Sequence, residues 1–112
     1  MTWTRAHDAW IAEHCEGLEV STEFGAEPHE IRFDGPWKPV AAYNTDPAAC
    51  IRAAEAWRKK GEGRTVKIEW EGPDVKAGLG DGAGGWHQWF WPCDKVATAL
   101  AQSLYYATGG PA

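Results

Sequence analysis

The sequence predicts a single α+β domain, and three stretches carry that prediction. Residues 46–61 hold a capped helical pattern, residues 65–71 alternate apolar with charged, and residues 86–91 are a short aromatic run ended by a proline. At 112 residues and 44% hydrophobic content the chain suits one core, and it is too apolar for a disordered segment.

The first helix is expected over Thr4 to Glu16. Trp10, Ile11, Cys15 and Leu18 fall near one face, and Gly17 is a stop. Residues 19–30 are acidic and irregular. Ile31 and Phe33 then alternate with charged neighbours, as in a short edge strand, before DGPWKP breaks any regular element. The second helix has the strongest signals. Asp46 can accept from its first amides, Pro47 suits a position that needs no donor, and Gly61 ends it. Cys50, Ala53, Ala54 and Trp57 form its apolar stripe, with Glu55 and Lys59 paired on the other side.

TVKIEWE (65–71) places Val66, Ile68 and Trp70 on one face and three charges on the other, which predicts an antiparallel sheet wet on one side. WHQWFW (86–91) is expected as its hairpin partner, with the glycines of KAGLGDGAGG (76–85) as the connector. Trp86 and Phe90 would share one face, His87, Trp89 and Trp91 the other. Trp70, Trp86 and Phe90 are candidates for the core. The opposite face needs cover from the first helix, from a second subunit or from a stacked ligand. A last helix is expected from about Asp94, with Val96, Leu100, Leu104 and Ala107 as its stripe and Gly109 as its stop.

GDGAGG (80–85) satisfies the G-x-G-x-x-G spelling, but it leads into a strand. The dinucleotide fingerprint needs a helix whose amides and dipole face the pyrophosphate. The run is therefore expected to be a hairpin connector, able at most to act as a lid beside the aromatics. The histidines have no zinc spacing and neither serine has nucleophile-elbow neighbours, so no enzyme, cofactor or metal is expected. Residues 1–34 hold eight acids against two bases, which disfavours nonspecific binding to nucleic acid. Cys15, Cys50 and Cys93 lack CxxC spacing and are expected as reduced thiols. With no apolar leader and no membrane-length apolar run, a soluble cytoplasmic protein is expected.

Eight tryptophans are too many for so small an interior to hide completely. The surplus suggests a ligand site: Trp86, His87, Trp89 and Trp91, with Trp37 and Tyr43 as further rings. Lys38, Arg64 and Lys76 would serve as cations for an acidic group.

Three segments also carry a family resemblance. AWIAEHCEGLE (9–19), YNTDPAACIRAAEAWRKKG (43–61) and GWHQWFWP (85–92) followed by DKVATALAQSLYYA (94–107) resemble, in that order, the phage α-β-α sandwich domain family. Its Y-S-T-D cap before an alanine-rich helix matches Tyr43 to Asp46, with Asn44 in place of the serine. The resemblance implies a phage or prophage origin, residence in an infected bacterial cell and a three-layer α-β-α sandwich around a small antiparallel sheet. It brings no catalytic residues. The combined expectation is a non-enzymatic accessory protein that sequesters a small ligand, such as a nucleotide-derived immune signal, as an anti-defence factor. The alternative is a protein-binding module or homo-oligomer that docks its tryptophan face.

Overall fold

Three helices and two small antiparallel sheets make up the computed structural model, which describes residues 2–22, 27–82, 86–91 and 95–111, the stretch 86–91 by its backbone. The helices are α1 (Arg5–His14), α2 (Pro47–Lys60) and α3 (Val96–Ala107). One sheet joins β1 (Val20–Ser21), β2 (His29–Glu30) and β3 (Lys38–Pro39). The other joins β4 (Thr65–Glu71), β5 (Asp74–Gly80) and β6 (Trp86–Trp91) as a meander. Pro92, Cys93 and Asp94 lie outside the described residues, as do 83–85 and the side chains of Trp86, His87, Trp89, Phe90 and Trp91.

The second helix forms as its signals require. The Asp46 side chain accepts from the Ala49 amide, and Cys50, Ala53, Ala54 and Trp57 are all buried. The stripe of α3 is wider than expected. Ala97, Ala99, Leu100, Ala101, Gln102, Ser103, Leu104 and Tyr105 are all buried, because α3 touches β5 and β6 on one side and α1 and α2 on the other. Small residues allow this close approach.

Two expectations about the strands are corrected. The 65–71 strand does not pair with 86–91; residues 74–80 form a strand between them. Glu71 pairs with Asp74 and Thr65 with Gly80, while Gly80 pairs with Trp86 and Val75 with Trp91. DVKAGLG reads as loop by composition, yet Val75, Ala77 and Leu79 are wholly buried and carry it as the central strand. Its tight turn is Gly72-Pro73, where Gly72 adopts φ 61°, as the first position of a two-residue hairpin loop requires. The edge strand expected at Ile31 and Phe33 lies two residues earlier, at His29–Glu30, and Phe33 is 92% exposed.

The helices that touch the larger sheet, α2 and α3, do so on the face of Val66, Ile68, Ala77 and Leu79. The other face of β4 and β5 carries charge: Lys67 lies 2.6 Å from Glu69, and Lys76 lies 3.4 Å from Glu69 and 3.9 Å from Glu71. Instead of covering the far face of the sheet through Trp10 and Ile11, α1 packs on α2, α3 and β1. A buried carboxylate holds it there. Asp8 accepts from Trp3 Nε1 at 2.8 Å, from the Tyr43 amide at 3.0 Å and from Arg5 at 2.7 Å. All three donors satisfy a charge that would otherwise be costly to bury.

The glycine run also has a structural use. Gly82 sits at φ 83° against the turn before β4, where a Cβ would lie 2.3 Å from the Glu62 carbonyl oxygen and 3.2 Å from the Gly63 Cα. Gly82→Ala is therefore expected to lower unfolding stability by about 2 kcal/mol or more. Gly35→Ala, which meets nothing within 4 Å, should stay within about 0.5 kcal/mol of the parent. Urea titration of both variants checks this contrast.

Candidate functional site

Where α2 and α3 begin, the larger sheet runs past their ends and leaves a cleft of about 670 Å³. Such a volume is within the usual range for small-molecule sites. The turn before α2 supplies Asn44 and Thr45, α2 itself Pro47 and Ile51, strand β4 Ile68 and Trp70, and the start of α3 Lys95, Val96, Ala97 and Thr98. Trp70 is 60% exposed and Ile51 53% exposed, so the cleft has an indole on one wall and an isoleucine on another. Trp70 pairs in register with the buried Val75 and so belongs to the core-facing side of the sheet. It stands at the end of its strand, next to the Gly72-Pro73 turn, where the helices no longer cover it.

The polar groups of the cleft differ in how well they are satisfied. Asp46 caps the α2 end. Among the described residues no side chain caps α3, whose entry residue is Lys95. The Thr98 hydroxyl donates to the Asn44 carbonyl at 3.3 Å, tying the two walls together. The Asn44 side-chain oxygen Oδ1 is buried and has no hydrogen-bond partner among the described residues.

A second, more polar cleft lies at the opposite ends of the three helices, lined by His14, Trp57, Lys60, Arg64, Ala107, Thr108 and Gly109. Its cations are placed as helix C-termini demand. Arg64 donates to the Trp57 carbonyl at 2.9 Å and rests 4.8 Å from the Trp57 ring centre.

The residues expected from sequence to form one site are distributed. Tyr43 is a correction: it is 0% exposed, its hydroxyl donates to Glu16, and Glu16 in turn holds Arg52 at 2.6 Å, so its ring belongs to the core and offers no surface to a ligand. Arg64 lines the second cleft, and Lys76 belongs to the charged face of the sheet. Trp37, 37% exposed, and Lys38 lie at the third strand of the smaller sheet. Trp86, His87, Trp89 and Trp91 are placed by backbone in β6; their side chains are outside the described residues. Trp3 and Trp10 pack within the protein, each at 5.9 Å from the Tyr105 ring, and Trp57 is buried. Sequence reasoning made Trp70 one of three candidates for the core and missed Asn44, Ile51 and Thr98. Ile51 carried a usable signal, as an apolar residue next to Cys50 but off the buried stripe of α2.

The histidines His7 and His14 and the serine Ser103 are engaged locally. His7 Nδ1 accepts from the Thr4 amide, His14 stacks on Trp10, and the Ser103 hydroxyl donates to the Ala99 carbonyl. No group of metal-ligating side chains gathers among the described residues, and no described helix is long and apolar enough to cross a membrane. Comparison with protein-family models, with curated proteins and with solved structures finds no match.

Cys15 and Cys50 are fully buried, and burial pushes both thiols up to about 12 from an ordinary value of 9.0. A thiol whose folded-state value is raised contributes stability that is complete below the ordinary value and lost as the pH climbs through 12. A disulfide-exchange reagent at pH about 8 should therefore leave both thiols of folded Cys93→Ser protein unmodified and label both after unfolding. Rapid labelling of the folded protein would contradict this burial.

Proposed function

We propose that this chain is a small phage or prophage accessory protein that captures a small ligand in the Trp70 cleft and performs no chemistry on it. The observation that carries the proposal is an apolar, ligand-sized cleft walled by a tryptophan and an isoleucine that are each more than half exposed. An exposed indole on a concave apolar wall is a poor use of hydrophobic surface in a lone domain and a good one for stacking a flat ring. The phage setting, the cytoplasm of an infected cell and the role as an anti-defence sponge come from the order of the three resembling segments. The family's α-β-α layering belongs to the same proposal. It would place a helix on the charged face of β4 and β5, where the described contacts put none, so segment order supports it and layering does not.

A second reading, docking of another copy of this chain or of a partner protein, is favoured by Phe33, almost wholly exposed in the stretch before β3. Light scattering of the parent and of Phe33→Ser distinguishes it: a dimer that dissociates in the variant supports docking.

Titration of the intrinsic fluorescence and calorimetry with flat aromatic ligands, nucleotides among them, test the ligand reading. Trp70→Ala is expected to weaken binding about tenfold or more, the usual worth of one stacking ring. Its unfolding stability should change by no more than about 0.5 kcal/mol, because the ring is exposed. Affinity unchanged in Trp70→Ala retires the cleft as the site.

A further inference from the structure

We propose that the cleft at the far ends of the helices is a second site, which holds a phosphate or phosphomonoester between Arg64 and Lys60. It is separate from the Trp70 cleft and does not depend on the function proposed for that cleft. Arg64 and Lys60 share an opening of about 440 Å³ with His14, Trp57 and Thr108, and no carboxylate is among its lining residues.

The positive charge there is unanswered, in a chain whose net charge is −5. Four cations follow one another at the end of α2: Arg58, Lys59, Lys60 and Arg64. Glu55 answers the first two, at 2.7 Å from Arg58 and 3.8 Å from Lys59. Lys60 and Arg64 form no ion pair among the described residues. Glu16, two residues beyond His14, is already committed to Arg52 and Tyr43.

The helix ends do not use up this charge. The Ile11 carbonyl takes the Cys15 amide, the Ala12 carbonyl that of Leu18, the Tyr105 carbonyl that of Gly110 and the Tyr106 carbonyl that of Gly109. The Trp57 carbonyl takes one N–H of Arg64. The other guanidinium nitrogens, and the whole Lys60 ammonium, have no hydrogen bond among the described residues. Thr108 adds no donor, since its hydroxyl accepts from Trp10 and donates to the Leu104 carbonyl. Recognition in the cleft falls to the two cations.

Arg64 is also held ready. Its guanidinium rests 4.8 Å from the Trp57 ring centre, with Nη1 fixed 2.9 Å from the Trp57 carbonyl oxygen. The side chain crosses directly over Gly61, where a Cβ would lie 2.7 Å from Arg64 Cζ. Gly61 has an extended backbone at φ −129°, so its missing side chain serves for room and not for an unusual dihedral. A guanidinium fixed in this way loses little freedom when an anion arrives. A carboxylate has two oxygens, which one guanidinium fork can occupy. A phosphate has enough oxygens to meet the fork and the ammonium together.

Heteronuclear NMR titration at constant ionic strength tests the site with inorganic phosphate, glycerol 3-phosphate and acetate. Both phosphates are expected to shift the Gly61, Arg64 and Gly109 signals saturably, and to bind about tenfold more tightly than acetate. The tighter of the two phosphates identifies the source, free ion or ester, and either order supports the site. Lys60→Gln should weaken phosphate binding about fivefold. Gly61→Ala keeps every charge but displaces Arg64 from Trp57, and should weaken it by a similar factor. Arg58→Gln removes a cation already matched by Glu55 and should leave the affinity unchanged, as should Trp70→Ala. Equal weakening by Arg58→Gln and Lys60→Gln would reduce the cleft to diffuse surface charge and overturn the proposal. Parent-like binding by Gly61→Ala, loss of binding in Trp70→Ala, or no saturable phosphate binding at all would overturn it too. Ligand capture at Trp70 is untouched by any failure here, because flat ligands report on it separately.

Discussion

The structure depends on a helix with no wet side. Twelve residues of α3 are set between a three-stranded sheet and two other helices, and buried positions occur all around its circumference. So small a protein can enclose a helix only if the helix is thin, and α3 meets that condition with alanines and a serine between its leucines. Ser103 is admissible in such a place because its hydroxyl returns to the Ala99 carbonyl, a bond made within the helix itself. The same constraint explains β5. The face of that strand turned to the helix is Val75, Ala77 and Leu79, and the small Ala77 packs with Val75 against Ala99 of α3.

Enclosing α3 also fixes where the surface must open. Both α2 and α3 line the apolar cleft with their first residues and the cationic cleft with their last. The exposed tryptophan of β4 and the start of α3 share the apolar opening. Asp8 secures the opposite side of the same turn. It grips the Tyr43 amide while the Tyr43 carbonyl receives the Cys50 thiol, so the segment that presents Asn44 is anchored on both flanks by buried groups.

What was legible in the sequence followed from local chemistry. Asp46, Pro47, the Cys50–Trp57 stripe and Gly61 specify α2 almost residue by residue, and the alternation of 65–71 specifies a strand. The failures come from tertiary packing, which local patterns do not record. Glycine was read as slack in 76–80, although Val75, Ala77 and Leu79 alternate with those positions and carry the strand into the core. Alternation put Trp70 on the core-facing side correctly, but alternation says nothing about where the covering helices stop. Tyr43 looked like an available ring because it precedes a helix cap, while its depth was set by partners 27 and 35 residues away in sequence, Glu16 and Asp8. The candidate site was half visible: a surplus of indole was evident, and which indole remained uncovered was not.

The turn beside Trp70 has one more consequence. Gly72 adopts a backbone conformation open to few residues, and Pro73 locks the next dihedral, so the hairpin end is stiff without help from the core. An exposed aromatic on a fraying strand would have to be immobilised each time a guest arrived, and that lost freedom would be subtracted from the affinity. Here the rigidity is built into the covalent chain, two residues away from the indole, so a guest stacking there would meet a strand end already fixed.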